Sequence, residues 1–123
     1  MSNLRDVYII GVGQTPCGKY PTKAAHVLGR EASWAAIKDS GIYARDIEIG
    51  FCGHVYQGMG VGQRTLKDIG LVGQPVINVE GACGSGTLSF WEAWRTIAFG
   101  PVSYTHLRAH ETDSYLVCRL LLE

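Results

Sequence analysis

Pro75-Val76-Ile77-Asn78-Val79-Glu80-Gly81-Ala82-Cys83-Gly84-Ser85-Gly86-Thr87 is the stretch on which the fold turns. Residues 75–79 have strand chemistry, rich in β-branched side chains, and they pass through a glycine-rich segment into a helix-forming stretch beginning near Thr87. This order of elements sets a thiol, Cys83, at the start of a helix. The first N–H groups of a helix have no partner inside it and the helix dipole is positive at that end, so negative charge is stabilised there. A free cysteine titrates near ~8.5 and helix N-termini lower this to roughly 3.5–7.5, which predicts a large thiolate fraction near neutral pH. Gly81, Gly84 and Gly86 permit a tight turn and close approach of a ligand to the backbone. Spacing alone fits equally a buried, inert cysteine in an ordinary strand-to-helix turn.

The preceding residues supply the rest of the architecture. Val7 to Val12 is β-branched or aromatic with little alternation, the pattern of a central strand covered on both faces. Gly11-x-Gly13 does not continue as a dinucleotide loop, because the next glycine is misplaced at Gly18 and Pro16 interrupts any immediate helix. Ala24 to Ser40 carries apolar groups at Ala25, Leu28, Ala32, Ala35 and Ala36, with Trp34 beside them, and stops at Gly41, as a helix with a glycine C-cap does. Ile47, Ile49, Phe51 and Val55 predict a second strand, and Val61 to Leu71 a second helix through Leu66, Ile69 and Leu71. Strands alternating with helices at these intervals imply an α/β fold, with parallel strands, right-handed crossovers and helices on both faces. Ligands in such a fold bind beyond the carboxyl ends of the strands, where Cys83 lies. The helix from about Gly84 to Phe99 is apolar nearly all round, with only Glu92 and Arg95 charged, so it is expected to be buried, with Trp91 and Trp94 in the core. A buried helix needs material on both sides, and this chain supplies one.

Val79-Glu80-Gly81-Ala82-Cys83-Gly84-Ser85-Gly86 resembles the nucleophile segment of the thiolases, in which a cysteine followed by a small residue, serine and glycine opens a buried helix. Val7 to Tyr20, with Thr15-Pro16-Cys17-Gly18, is similar to the first strand and following Thr-Pro-x-Gly loop of the same family. The resemblance covers about Val7 to Gly100. The Glu80-to-Cys83 pattern is closer to thiolases related to sterol carrier protein and to archaeal acetyl-CoA acetyltransferases than to the common biosynthetic enzymes. It implies a partial thiolase-like layered fold with a truncated first half, the helix after Cys83 lying between two halves and the third strand pairing with its twin in a dimer. It also implies a full-length parent that is a homodimer or homotetramer.

The same resemblance implies the chemistry. Cys83 would attack an acyl thioester such as acetyl-CoA to give an acyl-cysteine, which a second acyl-CoA takes up as its enolate, or which free CoA cleaves in the degradative direction. The substrates are then coenzyme A thioesters, with no separate cofactor and no metal. The backbone N–H of Cys83 is a plausible oxyanion donor. The family's histidine and second cysteine, which activate the thiol and manage the enolate proton, fall downstream of where the resemblance stops, so the chain as written is expected to be inactive. His26 is expected on the first helix, solvated or packed; Cys52 and Cys17 are expected in the core, and His54 beside Cys52-Gly53 takes no role from the family's later Cys-x-Gly motif. Gln57, Met59 and Gln63 fall in the loop that shapes the substrate pocket in relatives. Two other classes stay open: a hydrolase, since Gly81-x-Cys83-x-Ser85 is similar to a nucleophile elbow with cysteine in place of serine, and a non-catalytic binding or scaffold protein.

The 123 residues carry 11 basic and 11 acidic side chains with neither sign gathered into a block, which argues against nucleic acid or an anionic membrane as partner. The longest early apolar run, Val7 to Val12, is too short for a spanning helix or secretion signal, and a cytoplasmic protein is expected. Cysteines at 17, 52, 83 and 118 have no paired close spacing, so neither a disulfide framework nor a zinc site is indicated. Residues 1–100 are expected to form the first part of a thiolase N-terminal domain. Residues 101–123 resemble translated sequencing-adapter sequence and are expected to be a non-native tail, which removes His106, His110 and Cys118 as ligand candidates. The competing reading of that tail is a genuine short amphipathic segment, with Leu116, Leu120 and Leu121 as an apolar stripe.

Overall fold

The computed structural model describes residues 3–100 and, as backbone alone, the strand segments 105–110 and 117–122. In chain order the elements are β1 (Ile9–Gln14), α1 (Ala25–Ser40), β2 (Ile49–Gly53), α2 (Val61–Lys67), β3 (Val76–Val79), α3 (Ser85–Ala98), β4 (Thr105–His110) and β5 (Val117–Leu122). The strands form one sheet in the order β1-β5-β4-β2-β3. β2 pairs in parallel with β3 and β4, while β5 runs antiparallel to both β4 and β1. The sheet is therefore mixed, with β5 the reversed strand. The backbone of 117–122 is a strand, and the side chains of His106, His110 and Cys118, like the apolar stripe read for the tail, lie outside the described residues.

Strand alternation assigns the two faces. Gly50 and Cys52 of β2 and Val76 and Asn78 of β3 turn toward α1 and α2: a Cβ at Gly50 would meet Leu66, and one at Gly62 would meet both Asn78 and Cys52. That side is filled by Ala36, Ile37, Ile47, Leu66, Ile69 and Leu71. On the other face Phe51 packs with Ala93 and Ile97 of α3, joined by Ile49, Val79, Phe90 and Trp94. Helices thus cover both faces, as the alternating pattern predicts.

Two expectations are corrected. β1 is the outermost strand rather than a central one, and Tyr8, Ile9 and Val12 are each more than half exposed. Its apolar run has a different origin: Gly11 and Gly13 let α1 lie directly on the strand, since a Cβ at either would collide with the carbonyls of Ala36 and Ala32. On this strand the N–H of Val12 donates to the Asp39 carboxylate at 2.9 Å. The second correction concerns Trp91 of α3; the helix itself is covered on one side only, the one side for which this chain supplies material. Ser89, Ala93 and Ile97 are buried, whereas Leu88 and Trp91 on the opposite side are 42% and 49% exposed, so Trp91 is not a core residue. The guanidinium of Arg95 stacks over the Trp91 ring and pairs with Glu92 at 2.7 Å. Trp94, half-buried, does pack on the core.

Local signals explain the element limits. α1 ends at Gly41, in the left-handed region at φ 74°, whose N–H returns to the Ile37 carbonyl. α2 has no side-chain cap of its own at Gly60. Its first turn is instead held from β3, where Asn78 Oδ1 accepts the Gly62 N–H at 2.9 Å. Arg5 closes the far end of α3: its N–H donates to the Ala98 carbonyl and its Nε to the Ile97 carbonyl, both at 3.0 Å, satisfying acceptors that a helix end leaves open.

Candidate active site

The parallel pair β2 and β3 ends in register at Gly53 and Val79, and the His54 N–H extends the ladder by bonding the Val79 carbonyl at 3.1 Å. Both following loops therefore leave the carboxyl edge of the sheet side by side. One loop, 54–60, is tightly wound, with Tyr56, Gly58 and Gly60 all at positive φ, and Arg64 Nη2 holds its Met59 carbonyl at 3.2 Å. The other carries Gly81 to Gly84.

The second loop is a pair of overlapping turns. Gly84 N–H donates to the Gly81 carbonyl at 3.0 Å and Ser85 N–H to the Ala82 carbonyl at 3.1 Å. Ala82 sits at φ 48°, a left-handed conformation that a side chain disfavours by roughly 1–2 kcal/mol. Cys83 follows it, exposed, two residues before the first residue of α3 and one before its N-cap, Gly84. The thiol is thus in the turn that feeds the helix, at its amino end and open to solvent, not buried inside an element. An exposed thiol beside a helix start at the carboxyl edge of parallel strands can act as a nucleophile.

Below the turn the packing is close. Ser85 is fully buried, and a Cβ on Gly53 would run into its backbone and into Ser89 Oγ. The Ser85 hydroxyl accepts the Gly81 N–H at 2.9 Å and donates to the Ala82 carbonyl at 2.8 Å. These bonds escape a reading by residue type, because Ser85 registers there as part of a glycine-serine motif. The motif is visible; the direction of the hydroxyl back into the turn is not.

Other expected positions divide. Cys52 is buried in β2. Cys17 is exposed rather than in the core, because Pro16 and the turn after it carry the chain off the sheet and leave Thr15 as the buried residue. Gln63 is turned to β3, its amide donating to the Val76 carbonyl and its oxygen accepting from Asn78. Met59 is almost wholly exposed, while His26, His54 and Gln57 are half-buried. Among the described residues no three His, Cys, Asp or Glu side chains gather into a metal-binding group, and no helix is long and apolar enough to cross a membrane.

The family model described as Thiolase, N-terminal domain, matches residues 7–111. The chain belongs to the thiolase family. A thiolase segment of this kind is similar to the benzoylsuccinyl-CoA thiolase subunit BbsB of Thauera aromatica, 41% identical over 98 residues that cover 78% of this chain and 25% of that one. An acetyl-CoA acetyltransferase of the archaeon Methanocaldococcus jannaschii is 35% identical over 79% of this chain and 26% of its own. Sterol carrier protein 2 of Gallus gallus is 31% identical over 78% of the chain and 18% of its own length. Both subfamilies singled out by the Glu80-to-Cys83 pattern are thus represented. In shape, an acetyl-CoA acetyltransferase from Syntrophomonas wolfei matches with a TM-score of 0.74 at 25% identity, over 85% of this chain and 28% of that structure. The chain spans about a quarter of the length of the first two relatives, at 25% and 26%.

Proposed function

We propose that this chain carries the nucleophile-bearing part of a thiolase-type acyl-CoA acyltransferase, in which Cys83 is acylated. The observation that carries the reading is an exposed cysteine in a strained, hydrogen-bonded turn between β3 and α3, within a segment that belongs to the family.

The Cys83 thiolate attacks the carbonyl carbon of an acyl-CoA. A carbon–sulfur bond forms, the oxyanion of the tetrahedral intermediate is met by backbone N–H donors, and CoA leaves as its thiol after taking a proton. In the condensing direction a second acyl-CoA loses its α-proton, and its enolate carbon attacks the acyl-cysteine and releases the Cys83 thiolate. In the cleaving direction the steps reverse with free CoA as acceptor. The groups that move these protons, a histidine and a second cysteine in the family, are expected from a longer parent. The 123-residue chain is accordingly proposed to be inactive in turnover. The substrates are coenzyme A thioesters with no metal or separate cofactor, the parent is a homodimer or homotetramer, and the compartment is the cytoplasm.

Residues 101–123 are proposed to be adapter-derived in sequence, on their resemblance to translated adapter sequence, although 105–110 and 117–122 occupy strand positions and the family model extends to residue 111.

Peptide-resolved labelling with iodoacetamide tests the reading in the chain itself. Cys83 is expected to react faster than Cys17, which is also exposed and so controls for access. In the parent, acetyl-CoA is expected to leave an acetyl mass increment on the Cys83 peptide that is lost in Cys83→Ala. Equal labelling of Cys83 and Cys17, together with an increment that survives Cys83→Ala, would sink the proposal.

A further inference from the structure

We infer that Ser85 is a positioning residue for Cys83: its buried hydroxyl clamps the turn on which the thiol is carried. The inference rests on the reading of Cys83 as the acyl-accepting thiol, but it concerns a different atom. Three observations converge on that hydroxyl. It accepts from the Gly81 N–H at 2.9 Å and donates to the Ala82 carbonyl at 2.8 Å, and so grips the backbone at two points just before the sulfur. Ser85 is fully buried and both bonds are partly buried, which limits the competition of water for them. Ser85 itself cannot retreat, because the glycine at position 53 brings β2 against its backbone, leaving no room even for a methyl group there.

The clamp also explains Ala82. A non-glycine residue at φ 48° relaxes unless its surroundings hold it; two backbone turn bonds span Ala82, and to these Ser85 Oγ adds a bond on either side of it, from the Gly81 N–H and to the Ala82 carbonyl. The backbone that carries Cys83 is thereby held in one relation to the start of α3, where the helix N–H groups point. The partners of Ser85 Oγ are backbone atoms of the turn, so its action is on the geometry that presents the thiol.

The test compares wild type, Ser85→Ala and Ser85→Thr as full chains, with thermal melting to establish folding, peptide-resolved iodoacetamide rates at Cys83 and Cys17, and hydrogen exchange at the Gly81 amide. In Ser85→Ala the ratio of Cys83 to Cys17 labelling is expected to fall by about fivefold, with Gly81 exchange rising by a similar factor, the scale of one net hydrogen bond. Ser85→Thr keeps the hydroxyl and is expected to hold the wild-type ratio, which a merely space-filling role would not require. A folded Ser85→Ala chain with an unchanged ratio overturns the inference while leaving the proposed function intact. If wild-type Cys83 reacts no faster than Cys17, the acetyl increment on the Cys83 peptide of the parent decides the proposed function, and Gly81 exchange alone decides on the clamp: faster exchange in Ser85→Ala supports it, unchanged exchange overturns it. Should Ser85→Ala fail to fold, Ser85→Thr decides by the same ratio: a value at wild type supports the clamp, and a loss in a folded chain overturns it.

Discussion

At the scale of the residue, small side chains matter here for what they exclude. Gly13 faces α1 so closely that a methyl group would enter the space of the Ala32 carbonyl. Gly13→Ala is expected to destabilise the chain by about 1–3 kcal/mol, the usual cost of overpacking, read as a lower urea midpoint at unchanged slope. Gly41 differs in kind, since nothing lies within 4 Å of a Cβ there but its φ is 74°. Gly41→Ala is therefore expected to cost about 1–2 kcal/mol through backbone strain alone, and Gly41→Asn distinctly less, because asparagine tolerates the left-handed region. A Gly41→Ala chain as stable as wild type would contradict the conformation assigned to this C-cap.

At the scale of the element, α3 shows how one helix can be both core and surface. Phe51, against which its inner side packs, is 2% exposed, whereas Trp91 on its outer side is 49% exposed. Phe51→Ala is expected to cost about 3–5 kcal/mol and Trp91→Ala about 1 kcal/mol or less, despite the larger ring, as compared by chemical denaturation. The order of the first six elements was legible in the sequence because each is an apolar run or periodic stretch closed by glycine or another turn residue: α1 runs to Gly41, and 76–79 leads into the glycine turn. The place of β1 was not, because an apolar run records that a strand is apolar, not which neighbours it has. Here the glycines on the helix side and the exposed Ile9 and Val12 together imitate a strand buried on both faces. The place of Cys83 in the turn before α3 was legible from its motif, while the bonds of Ser85 beneath it were not, because the direction of its hydroxyl follows from tertiary packing against Gly53.

At the scale of the whole molecule, the sheet joins β1 to β2 only through β5 and β4. Ending the chain at Gly100 would remove the strand that pairs with β1 and leave it without a neighbour in the sheet. The 1–100 chain is expected to unfold at a lower temperature and less cooperatively than the 123-residue chain, followed by circular dichroism at two wavelengths; identical transitions would mean that the last two strands add nothing to the fold. One contact on β1 bears on how copies of this molecule behave in company. An outermost strand offers unpaired amides that can recruit an extended segment from a neighbour and begin fibre growth. The carboxylate of Asp39, seated on the Val12 N–H, occupies one such amide from within the same chain. That amide is thereby withheld from a neighbour, and removal of the Asp39 carboxylate is expected to be felt in the solubility of the protein before it is felt in its chemistry.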